Sequence, residues 1–414
     1  MRTVFLYLFF VLSVFLSAEE PLKIGVITDT HYLSEKLMED GTALTNYIQS
    51  SGKNVKTVPA VLDQVLTDYL NSNIEVLLVC GDITKDGEKQ SHLDFAEKLK
   101  PLQDKGVKVY VIPGNHDINM PNTLALKGDK ALPVENISPD DFVSIYANFG
   151  YGNAIKRDDA SLSYVASLND KTWLLAIDAA RYKEYKTRSI SGGKISASTE
   201  KWIVDILDEA KQKGITVIGM MHWGLTEHIM SQSLFFKDYL VYDWSRLANL
   251  FADKGMKAVF TGHFHSNDIT AFVSDKGNTI YDIETGTLSG YPFAYRFVEL
   301  DAKGMDIKTK NVTAIPDNPN LAEEDKLRMR ILAEKLAMSK FKGFGYGYSQ
   351  DVLKQFSEVL AQIFVLHLYG DEKPDAKLKR SMENLSKIMD APMMNIEDMQ
   401  IDFLPADNNV SIVF

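Results

Sequence analysis

The stretch Val109–Asp117, Val-Tyr-Val-Ile-Pro-Gly-Asn-His-Asp, constrains this chain more tightly than any other. Its apolar run reads as a buried strand, and Pro113-Gly114 breaks it so that Asn115, His116 and Asp117 emerge at the carboxyl end. That end is where α/β sheets place ligands. The same order, an apolar strand and then metal-type side chains, recurs four times. Ile24-Gly-Val-Ile-Thr runs into Asp29-Thr-His31, and Val76-Leu-Leu-Val-Cys into Gly81-Asp82. Val217-Ile-Gly-Met-Met runs into His222, and Ala258-Val-Phe-Thr into Gly262-His263-Phe-His265.

Seven side chains at these strand ends have metal-ligand chemistry: Asp29, His31, Asp82, Asn115, His222, His263 and His265. Five of the chain's eight histidines lie at the end of an apolar strand, within three residues of Gly or Asp, which chance placement rarely produces. Seven ligands are too many for one transition ion, but they suffice for two if a carboxylate is shared. Asp82 is the natural bridge, because its strand is expected between those carrying Asp29 and Asn115. Asp29, His31 and His265 then serve one ion, and Asn115, His222 and His263 the other. Residues two apart in an extended segment face one side, so His263 and His265 can reach adjacent ions. Nitrogen and oxygen donors without thiolate suit manganese, iron, zinc or cobalt, and exclude an all-oxygen calcium shell.

Two divalent ions against two carboxylates leave a local charge of about +2, enough to draw a phosphate into an acidic protein. Ions ~3.5–4 Å apart lower the pKa of a bridging water and clamp the oxygens of an in-line displacement. His116 follows a proposed ligand and is expected to point toward the leaving group as proton donor, with Asp117 as the carboxylate holding its imidazole. The alternative is that His116 only hydrogen-bonds a phosphate oxygen or the loop backbone. Tyr291 and Arg296 follow the last metal block in Gly290-Tyr-Pro-Phe-Ala-Tyr-Arg and are candidates for substrate binding, with a strand-edge turn as the alternative. His228 is expected to face outward from a loop, and His92 and His367 to be structural or at the surface.

Between the first three blocks lie helical patterns, Val58 to Tyr69 and Leu93 to Leu99, giving β-α-β-α-β and parallel pairing. Residues 118–160 form a long connection. Leu162–Val165 with Thr172–Ile177 reads as a hairpin, and 199–213 and 244–252 read as helices. From Asp268 to Lys308 the signals become short strands, so a second, mostly antiparallel sheet is expected behind the first. Pro316-Asp-Asn-Pro-Asn marks a boundary between a catalytic domain over 22–315 and a helical domain over 320–414. The latter carries three helical patterns, whose methionines and aromatics are read as packing.

The chain opens on Arg2, an apolar run from Val4 to Leu16, and Ser17-Ala18. This reads as an export signal over residues 1–18, because the run falls short of the ~20 residues that span a bilayer. A membrane anchor is the alternative. The expected location is the periplasm, cell surface or medium of a bacterium. Cys80 is the only cysteine, so no intramolecular disulfide forms, and it is read as an inert buried thiol. A net charge of −11 argues against long nucleic acids and anionic membrane surfaces as partners. Oligomeric state is left open.

These ordered blocks, Asp-x-His, Gly-Asp, Gly-Asn-His-Asp, His and Gly-His-x-His, resemble the calcineurin-like metallophosphoesterase superfamily across residues 22–310. The resemblance implies a two-sheet β-sandwich flanked by helices, a dinuclear centre and phosphoester hydrolysis. Departures narrow it. Phosphoprotein phosphatases continue Gly-Asp with Asp-Arg-Gly, whereas this chain has Ile83-Thr-Lys-Asp-Gly87. Lys85 stands where purple acid phosphatases carry a tyrosine ligand and the superfamily's DNA-repair nucleases a histidine. What remains is similar to bacterial class III cyclic-nucleotide phosphodiesterases, including exported members with a helical C-terminal appendage. Small phosphodiesters are the implied substrates. A phosphomonoesterase or nucleotide pyrophosphatase on the same metals, or a metal-dependent binding module without turnover, are the alternatives.

Overall fold

The computed structural model describes residues 20–344, 348–389 and 402–414, and the expected export signal at 1–18 lies outside them. Strands and helices are numbered along the chain. One sheet runs Asn409–Val413 (β16), Gly304–Asn311 (β15), Ala294–Leu300 (β14), Leu22–Ile27 (β1), Val76–Val79 (β3) and Lys108–Val111 (β4). The other runs Asp268–Val273 (β12), Thr279–Glu284 (β13), Met256–Thr261 (β11), Thr216–Met221 (β10), Thr172–Ile177 (β9), Tyr164–Asn169 (β8) and Lys156–Arg157 (β7). A small third sheet joins Met38–Glu39 (β2), Leu124–Lys127 (β5) and Lys130–Pro133 (β6).

The helices are Thr42–Ser51 (α1), Val58–Asn71 (α2), Lys89–Asp104 (α3), Pro139–Ile145 (α4), Ala197–Lys213 (α5), Gln232–Phe235 (α6), Trp244–Asp253 (α7), Leu321–Phe344 (α8), Gln350–Tyr369 (α9) and Ala376–Met389 (α10). Local chemistry sets their ends. The Ser196 hydroxyl accepts the Thr199 N–H to start α5, and Gly214 ends it in the left-handed region at φ 66°.

β1, β3 and β4 pair in parallel, as do β9, β10, β11 and β13. Period-two alternation splits the second sheet between two cores. Leu174, Ala176, Ile218, Met220, Ala258 and Phe260 join β1, β3 and β4 in one cluster. Leu175, Ile177, Val217 and Met221 pack with Ile203, Leu207 and Phe251 of α5 and α7 in another. The sandwich flanked by helices is therefore as expected.

Two details differ. Asp268–Lys308 does not build a sheet of its own: β12 and β13 extend the β10–β11 sheet, while β14 and β15 flank β1 in the other. The physical reason is backbone pairing, since each hairpin finds an open edge of an existing sheet. Beyond the boundary expected near 316, α8–α10 give way to β16, which returns to pair with β15.

Tyr69 of α2 pins the start of the site. Its hydroxyl accepts the Val26 N–H at 3.1 Å and lies 3.0 Å from the carbonyls of Val26 and Arg296, where β1 and β14 part. Gly25 makes the room, because a Cβ there would stand 2.7 Å from the Tyr69 ring. Tyr69→Phe leaves the buried Val26 N–H without a partner and is expected to lower unfolding free energy by about 1–3 kcal/mol in urea denaturation. An unchanged midpoint would show the hydroxyl to be dispensable.

Candidate metal centre

The sheet order β1-β3-β4 puts Asp82 between Asp29 and Asn115, and the parallel ends of β10 and β11 in the other sheet bring His222, His263 and His265 to them. Donor atoms of Asp29, His31 and His265 lie within 4.8 Å of one another, and so do those of Asp82, His222 and His263. Asp82 Oδ2 sits between the groups, 3.6 Å from His31 Nε2 and 3.3 Å from His222 Nε2. Asp29 Oδ1 lies 3.1 Å from His265 Nε2 and 3.6 Å from His31 Nε2.

Asp29, Asp82 and His222 are held by their outer atoms so that an inner one faces the centre. Asp29 Oδ2 accepts from the Thr28 hydroxyl and the His263 N–H, Asp82 Oδ1 from the His116 N–H, and His222 Nδ1 donates to the Cys80 carbonyl. Asp29 Oδ1, Asn115 Oδ1 and His222 Nε2 are left buried with no hydrogen bond. Orphaned oxygens and an imidazole nitrogen converging on one space fit cations of the nitrogen-and-oxygen type.

The glycines of the motifs are required by this crowding. A Cβ on Gly114 would stand 2.2 Å from Asp82 Oδ1, on Gly81 2.7 Å from His222 Nδ1, and on Gly262 2.5 Å from Asp29 Oδ2. The donors are also strained: Asp29, His31, Asp82, His263 and His265 all have φ between 41° and 71°.

Electrostatics follow from burial and proximity. Burial holds the His31 and His263 imidazoles down at about 3, helped by the positive charges of Lys53 and His222 respectively. Burial opposes charge on His222 too, but Asp82 and Asp29 outweigh it and bring it up to about 9. The same pairing holds both carboxylates well below their usual range against the effect of burial.

His116 stands at the rim, its side chain 23% exposed and its ring edge-on to His31 at 5.1 Å. Here the expectation for Asp117 is corrected. Asp117 accepts the Gly114, Ile83 and Thr84 N–H groups, clamping two loops together, and burial with the Asp82 charge pushes it up to about 6. Adjacent residues of the turn point apart, so the carboxylate on His116 Nδ1 comes instead from Asp86, at 2.8 Å.

Lys53, which the sequence reading passed over, lies 3.1 Å from His116 Nε2. Burial pushes its ammonium down, against the raising influence of Asp86, Asp82 and Asp29. Asp86 lies in the loop that already departs from the superfamily patterns, which was the available signal. Lys53 stands in a polar loop with no such mark.

Arg296 and Tyr291 are not brought to the centre. Arg296 is buried, and four of its five N–H groups are taken by Thr285, Thr309 and the Asp407 and Glu284 carbonyls. Tyr291 packs with Met329, Val365 and Leu368 under the helices and stacks on Tyr369. His228, expected on the outside, is fully buried between Asp268, Asp282 and Glu284. His92 is structural, bonding the Asp117 carbonyl and the Tyr146 hydroxyl.

Two facing sheets thus gather histidines and carboxylates at their strand ends, a donor set of the kind that holds metal ions. Residues 22–267, more than half of the chain, match the family described as Calcineurin-like phosphoesterase, and the chain belongs to that family. It is 29% identical over 132 residues to the 3',5'-cyclic adenosine monophosphate phosphodiesterase CpdA of Vibrio vulnificus, covering 32% of this chain and 41% of the relative. It is 38% identical over 56 residues to a probable cyclic nucleotide phosphodiesterase of Vesicomyosocius okutanii, 14% of this chain and 23% of the relative. The chain thus spans less than half the length of these relatives. A dimetal phosphatase from Danio rerio superposes with TM-score 0.52 at 14% identity, over 71% of this chain and 97% of the other.

Gly114→Ala drives a methyl into Asp82 Oδ1 and is expected to weaken Mn2+ binding about 10–100-fold while the chain still folds, read by calorimetry and circular dichroism. Undiminished binding would mean that Asp82 is not where the ions are held.

Proposed function

We propose that this chain is an exported phosphodiesterase that hydrolyses small phosphodiesters such as cyclic nucleotides. The observation that carries the reading is the position of Asp82 Oδ2 between two histidine–carboxylate groups, with His116 at their exposed rim. The names of the two cyclic-nucleotide relatives support the diester preference.

Asp29, His31 and His265 would hold one ion and Asn115, His222 and His263 the other, with Asp82 shared. Bound there, manganese, iron, zinc or cobalt supplies Lewis-acid stabilisation of phosphoryl oxygens and activates water at neutral pH. The chain supplies the rest. Asp86 can only accept, so His116 carries its proton on Nδ1 and presents Nε2 to the rim. In the resting site the Lys53 ammonium donates to Nε2; once that bond is released, Nε2 takes up a proton from solvent and gives it to the leaving oxygen as the phosphoester bond breaks. Once substrate enters, the same ammonium is placed to neutralise a phosphoryl oxygen. Asp82 Oδ1 fixes the His116 backbone, so donor and centre move as one unit.

His116→Ala is expected to lower turnover ~10²–10⁴-fold on diesters with alkoxide leaving groups, including 2′,3′- and 3′,5′-cyclic nucleotides. The loss should be much smaller on bis-(p-nitrophenyl) phosphate, whose leaving group needs no proton. Equal losses on both rule out proton donation. Faster cleavage of p-nitrophenyl phosphate than of the diester would instead make the enzyme a monoesterase, and no turnover of either with metal loaded would leave a binding module. Export is tested by mass spectrometry of the protein from culture fractions: the expected form lies outside the cytoplasm and lacks residues 1–18. Full-length protein confined to the cytoplasm would exclude export.

A further inference from the structure

A second buried cluster lies where α9 meets the edge of the β12–β13 sheet. Asp268 opens β12, Asp282 and Glu284 close β13, and His228 lies in the loop after β10. His367 and Glu372 come from the last turn of α9 and the segment after it. All six are buried.

Four carboxylates thus share the space with two imidazoles. Among the described residues, the ion pairs of Asp268, Glu284 and Glu372 are with histidine alone. Asp402 and Asp407 also face Asp268 and Glu372, and burial together with those carboxylates pushes Asp402 up to about 6 and Asp407 to about 8. Arg296, the nearest guanidinium, donates to hydroxyls and carbonyls instead. Buried carboxylates in excess of cations are costly unless something positive joins them.

The hydrogen bonds show which atoms are spoken for. Asp282 is satisfied by the Leu225 and Thr226 N–H groups and the Thr261 hydroxyl, and Glu284 Oε1 by Ser266. His228 Nδ1 donates to Asp268 Oδ1 at 2.8 Å. His367 Nδ1 lies 2.6 Å from Glu372 Oε1 and 3.9 Å from Asp268 Oδ2. Asp268 Oδ2 and Glu372 Oε2 accept no hydrogen bond at all. One donor atom each from Asp268, His367 and Glu372 falls within 4.8 Å of the others, the same closeness as in the groups around Asp82.

We propose that Asp268, His367 and Glu372 bind a further divalent cation, which fastens α9 to the edge of the catalytic sheet. One imidazole and two carboxylates suit manganese or zinc. Phe264, between His263 and His265, sets its ring 5.4 Å from that of His367, so the same cation braces the segment carrying two of the proposed catalytic ligands. The site is independent of the phosphodiesterase reading and stands whether or not diesters are the substrate.

The test is a metal count on the full chain, stripped with chelator and dialysed against Mn2+ or Zn2+ alone. Wild type is expected to hold one ion more than Glu372→Gln or His367→Gln, each of which keeps the ions near Asp82. Anomalous diffraction from zinc-loaded wild-type crystals should show a peak among Asp268, His367 and Glu372, and decides the matter if the variants fail to fold. Peaks near Asp82 with none at His367, or equal ion counts in wild type and folded variants, would overturn the site.

Discussion

The structure depends on one electrostatic demand: the carboxylates of Asp29 and Asp82 are sealed between two sheets with their inner oxygens turned toward imidazole nitrogens. Unpaired carboxylates cannot stay charged in such a place. His222 meets part of the demand, its imidazole raised to about 9 by Asp82 and Asp29. A cation pair would meet it better, because each ion would satisfy several donors at once. The sheet order, the loops after each strand and the burial of Cys80 beneath them all serve to bring oxygens from one sheet against nitrogens from the other.

Bringing them that close has a conformational cost. Donors in the left-handed backbone region cost about 1–3 kcal/mol each, and five of them lie at this centre. The surrounding hydrogen bonds over-determine these positions: Asp117 alone ties Gly114, Ile83 and Thr84. The same crowding is the physical reason that glycine stands beside Asp82, Asn115 and His263, where a methyl group would have nowhere to go.

Much of this was legible in the residues. A strand that ends on Pro-Gly or Gly-Asp announces itself locally, so the six histidines and aspartates that the structure gathers into two groups could be picked out without coordinates. The order β1-β3-β4 followed from alternation of strand and helix. What failed depended on distant partners. Asp117 and Asp86 differ only in which way a turn points, and Lys53 reaches His116 from a loop 63 residues away. Arg296 looked available because its four acceptors come from three other segments, and His228 looked exposed because the carboxylates around it lie 40 or more residues further on. Hairpins that cross between sheets were likewise invisible, since a short antiparallel strand carries no mark of which open edge it will join.

The strand Asn409–Val413 gives the helical layer a meaning that its own composition does not suggest. By stitching itself to β15, it turns α8–α10 into a closed loop that leaves the sandwich and comes back, so the layer is not a detachable module. Until that stitch is made, β15 has an unpaired backbone edge, the kind of surface on which neighbouring chains aggregate. Shortened forms ending within the helices would therefore be sticky for a reason unrelated to catalysis, and a nascent chain would need shielding of that edge until Asn409–Val413 emerged.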